Sequence, residues 1–135
     1  MDLNQVTLPS RDVARGAVFY RKLGLVQIVE DLPKYVRFEM PKGSSTLSLH
    51  HAEALATAVA EVTEAGVVLF FECEDLDARV SELKASGLMF DTDPTDQPWL
   101  WREASLRDPD GHEIRLYFAG ENRKNPPWRL PVPPT

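Results

Sequence analysis

The stretch DLDARVSELKASG (residues 75–87) decides the fold, because its grammar occurs a second time as DVARGAVFYRKLG (residues 12–24). Each copy opens on an aspartate, whose carboxylate favours the positive end of a helix, and closes on a glycine, which stops one. Between these marks residues recur at helical spacing: Leu76, Val80 and Leu83 in one copy, Val13, Ala17, Val18 and Tyr20 or Arg21 in the other. A constant offset of 63 residues carries Asp12 onto Asp75, Gly24 onto Gly87 and Leu25 onto Leu88. The chain repeats itself.

Working outward, a strand precedes each helix, at residues 3–8 and 67–74. Three strands follow each helix: residues 26–30, 35–40 and 46–51 in the first half, and 89–91, 102–107 and 113–119 in the second. The unit is β-α-β-β-β, duplicated. The predicted fold is therefore α+β, two tandem βαβββ modules forming a curved mixed sheet around a cleft. Module one spans residues 1–51 and module two 66–119, together a single domain of residues 1–119. Residues 52–65 between them carry no Pro or Ser, which predicts a short helical connector. The Pro-rich tail, residues 120–135, keeps Trp128 and Leu130 and is expected to act as a strap across the sheet or a partner subunit, anchored by Trp128.

Composition narrows the function. Hydrophobic residues make up 43% and charged residues 27%, an ordinary globular balance. No apolar run approaches the roughly 20 residues of a membrane helix. A net charge of −6 without a basic cluster argues against nucleic acid. The lone Cys73 excludes an internal disulfide and fits a reducing cytoplasm. The expected partner is a small molecule or another protein.

Four segments in this order, together with the repeat, carry a family resemblance: residues 4–8 (NQVTL), the Phe19-Tyr20 and Leu23-Gly24 helix end, residues 74–78 (EDLDA), and the Asp108-Pro109-Asp110-Gly111-His112 turn. The chain resembles the vicinal oxygen chelate superfamily, which includes glyoxalase I, extradiol dioxygenases, fosfomycin resistance enzymes and bleomycin resistance proteins. Metal-bearing members place ligands on four cleft-facing strands. The resemblance maps these positions onto Gln5, Ser48, Val68 and Arg115. A divalent site needs several oxygen or nitrogen donors, and only Gln5 is compatible, so the usual metal site is expected to be absent. A divalent metal remains possible at a shifted site made of Gln5, His50 and Glu103.

Strand parity assigns the cleft lining. Gln5 and Thr7 come from the first strand and Ser48 and His50 from the fourth. Val68, Phe70 and Glu72 open the second half, joined by Trp101, Glu103, Ser105, Glu113, Arg115 and Tyr117. Aromatic walls with a few polar groups suit a small-molecule site. An inward guanidinium at Arg115 requires an anion: either a protein carboxylate, with Glu72, Glu103 and Glu113 available, or a ligand group held bidentately. Asp108 and Asp110 read as turn residues, His112 as a turn residue facing solvent, and Cys73 as packing.

The leading expectation is a metal-independent, bleomycin-resistance-like protein that binds a small aromatic or anionic metabolite or drug, with no cofactor, in which Arg115 holds the anionic group and Trp101, Phe70 and Tyr117 form the walls. The alternative is a metal-dependent lyase, isomerase or dioxygenase at the shifted site, in which the metal would stabilise an enediolate. A third is metal-free proton transfer, with Glu103 as base and His50 as partner. The resemblance also implies a homodimer.

Overall fold

A computed structural model describes residues 1–52 and 66–131. The expected connector falls almost wholly outside them. Module one runs β1 (Gln5–Ser10), α1 (Val13–Leu23), β2 (Val26–Asp31), β3 (Tyr35–Glu39) and β4 (Thr46–His51). Module two runs β5 (Val68–Glu72), α2 (Leu76–Ala85), β6 (Phe90–Asp96), β7 (Arg102–Arg107) and β8 (Glu113–Phe118), followed by a 3-10 turn at Gly120–Arg123. Each module forms one four-stranded mixed sheet, in the orders β1-β4-β3-β2 and β5-β8-β7-β6. The outer pair is parallel (β1 with β4, β5 with β8) and the remaining pairs are antiparallel. The duplicated α+β architecture read from the repeat is the architecture observed.

Local chemistry sets the helix ends. Asp12 is the N-cap of α1 rather than a first-turn residue, its side chain accepting from the Arg15 amide at 3.1 Å. Gly24 ends the helix at φ 112°, where any Cβ would also lie 2.5 Å from the Arg79 guanidinium. The buried stripe of α1 is Val13, Gly16, Ala17, Phe19, Tyr20 and Leu23. Val18, expected inside, is exposed: five residues beyond Val13 the helix has turned well away from the sheet. Strand β6 is longer than the predicted residues 89–91, because it continues through Pro94. The edge position of β6 makes that possible, since no neighbour needs the missing amide, and two register shifts accommodate the kinks.

One hydrophobic core serves both modules. Leu8, Tyr20, Phe38 and Leu49 of the first share a single buried cluster with Leu76, Val80, Leu106, Ile114 and Leu116 of the second. Polar joints fasten the halves at the turn before β8. The Tyr20 hydroxyl donates to Asp108 Oδ2 at 2.6 Å, the Arg11 amide to Asp110 Oδ1 at 2.8 Å, and His112 Nε2 lies 2.8 Å from the Pro9 carbonyl. His112 is thus partly buried as a module clamp, not a solvent-facing turn residue. At the helix ends Arg79 Nη2 donates to the Leu23 carbonyl at 2.9 Å.

Tyr20 is fully buried, and its burial together with the adjacent Asp108 holds the phenol well above its ordinary value. Its contribution to stability is complete below the unfolded tyrosine value of about 10 and is lost as pH rises beyond it. Tyr20→Phe leaves a buried carboxylate oxygen unpartnered and is expected to lower unfolding stability by about 1–3 kcal/mol. Urea unfolding at neutral and alkaline pH checks both points: the variant starts lower and loses less on alkalinisation. Equal curves would remove Tyr20 from the joint.

Candidate functional site

Alternation along the strands sends one set of side chains into the shared core and the other to the opposite face of each sheet. On the first sheet that opposite face gathers Gln5, Thr7, Ser48 and His50, the residues expected there. Register sets Thr7 beside Ser48, Ser48 beside Arg37 and His50 beside Tyr35. Gln5 Nε2 donates to Ser48 Oγ at 2.9 Å and to Thr7 Oγ1 at 3.2 Å, while Thr46 donates to Gln5 Oε1. Ser48 is fully buried, and its Oγ lies 2.5 Å from the Tyr35 hydroxyl. Arg37 Nε donates to that same hydroxyl at 2.8 Å. Burial pushes the Tyr35 phenol up, but the bonds from Ser48 and Arg37 and the Arg37 charge together outweigh it and hold the phenol below its ordinary value. Tyr35 and Arg37 were missed in the sequence, although the alternation in Tyr35-Val36-Arg37-Phe38-Glu39 already places both on one face.

On the second sheet Arg115 occupies the middle of the corresponding face. Its Nη1 lies 3.3 Å from Glu103 Oε2 and its Nη2 3.2 Å from Glu113 Oε1, and its Cζ stands 5.6 Å from the Phe70 ring centre. The other Glu103 oxygen accepts from Trp99 Nε1 at 3.1 Å. Of the two partners the sequence leaves open for Arg115, the structure contains the protein carboxylates. Glu72 does not join this pair; its Oε2 accepts from the Ala119 and Gly120 amides at 2.9 and 3.0 Å. Beside Arg115, Thr92, Gln97, Trp99, Glu103 and Ser105 line a pocket of about 240 Å³. Among the described residues Arg115 Nε is buried without a partner. Next along the face, Trp101 stacks on Tyr117 at 4.8 Å and 28°, and Phe70 stands edge-on to both. Leu100, at φ 67°, turns the chain between Trp99 and Trp101, so that one indole reaches Glu103 and the other Tyr117.

The two faces meet where Gln5 and Thr46 line a pocket of about 320 Å³ together with Phe70 and Glu72. His50 and Glu103 lie on different sheets, His50 against the Tyr35 ring and Glu103 held by Arg115 and Trp99. At the four positions to which the resemblance assigns ligands, Gln5 and Ser48 are bonded to each other, Val68 offers no donor and Arg115 is a cation in an ion pair. That donor set does not fit a divalent ion. Among the described residues no group of three or more His, Cys, Asp or Glu could hold a metal. Burial pushes the Cys73 thiol up against the pull of Arg79, which disfavours its thiolate form.

Such an arrangement defines a duplicated βαβββ protein whose modules share a core and turn polar and aromatic faces away from it. The model of the Glyoxalase/Bleomycin resistance protein/Dioxygenase superfamily matches residues 2–116, and the chain belongs to that superfamily. No curated protein matches the chain. Among solved structures, a bleomycin-binding protein complexed with bleomycin is 24% identical, with a TM-score of 0.65 over 87% of this chain and 98% of that one. A superfamily member from Nocardioides is 22% identical, with a TM-score of 0.71 over 97% and 90%. Lactoylglutathione lyase from Agrobacterium tumefaciens is 18% identical, with a TM-score of 0.67 over 87% and 92%. At these identities the likeness is one of fold. No helix among the described residues is long and apolar enough to cross a membrane.

Removing Arg115 leaves the buried Glu103 facing a second carboxylate with no cation between them. Arg115→Met is expected to cost about 1–3 kcal/mol, less than a fully buried pair because the Arg115 side chain is 31% exposed. Adding Glu103→Gln should recover part of the loss in a double-mutant cycle followed by urea unfolding. Additive losses would mean that the pair is not coupled.

Proposed function

We propose that the chain is a metal-independent member of its superfamily that binds a small aromatic or anionic metabolite or drug, rather than turning it over. One observation carries the metal-independent part. Glu103, the only carboxylate of the shifted Gln5, His50 and Glu103 set, has one oxygen on Arg115 and the other on Trp99. A cation there would have to displace a guanidinium already in place, at the cost of leaving a charge unpaired.

Phe70, Trp101 and Tyr117 supply the walls, with Gln5, Thr7, Ser48 and Ser105 as hydrogen-bonding groups. Such a mixture of flat apolar surface and a few polar atoms suits a small planar ligand. The fold shared with a bleomycin-binding protein supports this reading of the ligand class. In this reading Arg115 shapes the pocket as an internal clamp, and Glu103 and His50 carry no chemistry. A cytoplasmic homodimer belongs to the same proposal: Trp128 and Leu130 are 58% and 82% exposed in the single chain, and a second copy would cover them.

The test is binding followed by tryptophan fluorescence, with benzamide and benzoate as probes, before and after exhaustive chelation. Chelation is expected to change neither affinity nor melting temperature, and Trp101→Ala to weaken both probes by about tenfold through the lost stacking surface. Near one equivalent of transition metal per chain, lost with His50→Ala or Glu103→Gln, would overturn the proposal in favour of a shifted-site lyase, isomerase or dioxygenase. Light scattering is expected to give the mass of two chains.

A further inference from the structure

The two faces carry opposite electrostatics. On the second sheet Arg115 is outnumbered, with Glu103 and Glu113 both in contact with it. An anionic ligand arriving there would meet carboxylates. On the first sheet Arg37 is half-buried on the same face as Gln5 and Ser48, and among the described residues its one side-chain hydrogen bond runs from Nε to the Tyr35 hydroxyl. Among the described residues its two terminal nitrogens have no acceptor. A guanidinium drawn part-way out of water with its bidentate fork unfilled is set up for an oxyanion.

The neighbouring hydroxyls point the same way. Ser48 Oγ already accepts a hydrogen bond from the Gln5 side-chain amide. If Ser48 in turn donates to Tyr35 Oη, the phenol oxygen receives two donors, Ser48 and Arg37, and its own hydrogen is left free to point outward. Two guanidinium N–H groups and one polarised phenol O–H then project from one patch. Three donors and a single positive charge match a monoanion with two oxygens better than a dianionic phosphate. From these contacts we infer that Arg37, Tyr35 and Ser48 form a carboxylate-binding site on the first sheet, and that this site, not Arg115, takes the anionic group of the ligand.

The inference deepens the binding reading and rests on it. Gln5 links the two parts: it bonds Ser48 and also lines, with Phe70, the pocket between the sheets. A planar acid with its ring toward Phe70 would have its carboxylate on the Gln5 side. The charged and titratable groups around Tyr35 are Arg37 and Glu39 on its own strand, Asp31 across from it on β2 and His50 across from it on β4. Asp31 and Glu39 are exposed and make no ion pair with Arg37 among the described residues.

The chain has three tyrosines, and Tyr20 and Tyr117 are held above the ordinary value while Tyr35 is held below it. Tyrosinate ultraviolet absorbance during an alkaline titration therefore isolates Tyr35 as the first step. That step is expected to vanish in Tyr35→Phe and to move to higher pH in Arg37→Gln. Saturating benzoate should also move it to higher pH, because a carboxylate beside the phenol opposes its ionisation, whereas neutral benzamide should not. In parallel, Arg37→Gln should weaken benzoate by roughly ten- to a hundredfold and leave benzamide unchanged, with Arg37→Lys, which keeps the charge but not the fork, falling between. Benzamide binding as tightly as benzoate, or benzoate indifferent to Arg37→Gln, overturns this site and leaves the binding cleft standing. Failure of both probes to bind overturns the cleft and this site together.

Discussion

Everything the two faces do depends on one buried carboxylate. Asp108 is 5% exposed and accepts from the Tyr20 hydroxyl with one oxygen and from the Asp110 and His112 amides with the other. Burial raises its pKa, while the Tyr20 bond, the His112 charge and the His112 amide pull the other way. An unpaired carboxylate so deep would be very costly; with its donors it becomes a fixed point joining α1, the turn and the start of β8. Gly111, at φ 88°, lets the chain reverse tightly enough for both amides to reach it. Because β8 starts at Glu113, two residues after Gly111, the fixed turn helps set the register that faces Arg115 and Tyr117 away from the core cluster and Ile114 and Leu116 into it.

That register imposes a condition on the second sheet. An arginine in the middle of a half-buried face must have anions, and β7 and β8 provide them two residues or one strand away, as Glu103 and Glu113. Such a cluster is weak evidence for stability, since the desolvation of each ion offsets most of the attraction. Its consequence is chemical. Glu103 and Glu113 are engaged by Arg115, and Arg115 by them. The first sheet has the complementary deficit. Arg37, partly buried like Arg115, has no carboxylate paired with it among the described residues; its Nε donates to the Tyr35 hydroxyl, which is bonded to Ser48. One fold thus presents a closed ionic cluster and an open cation on equivalent faces of its two modules.

What could be read from the chain follows from how local each signal is. Both helices were legible because an opening aspartate, apolar period and terminal glycine lie within a dozen residues, and the repeat checked one copy against the other, although only Asp12 caps its helix through its side chain. Face parity was legible for the same reason: Gln5, Ser48, Phe70, Glu103 and Arg115 do share faces as alternation requires. The length of β6 was not, because Pro94 signals a break unless the strand is known to be an edge, and edge position is a property of the whole sheet. Val18 was misplaced because apolar character outvoted helical angle. The partner of Arg115 was undecidable from sequence, with three glutamates in reach and only the fold to choose between them. Tyr35 and Arg37 were overlooked because the resemblance directs attention to strands that carry metal ligands, and β3 carries none.

The joints explain why this scaffold can exchange its face residues at all. In a metal-bearing relative of this shape, an ion bonded to strands of both modules would also tie the modules together, and losing its ligands would cost the fold as well as the chemistry. Here the ties lie elsewhere: Tyr20 on Asp108, Arg11 on Asp110, His112 on the Pro9 carbonyl and Arg79 on the Leu23 carbonyl, all at the turn or the helix ends, over a single apolar core. None of these contacts uses a side chain of the two faces. Substitutions on the faces therefore act mainly through their immediate partners, as Arg115 does through Glu103. Two modules of one architecture can then hold an arginine clamped by carboxylates in one and an unclamped arginine beside a phenol in the other.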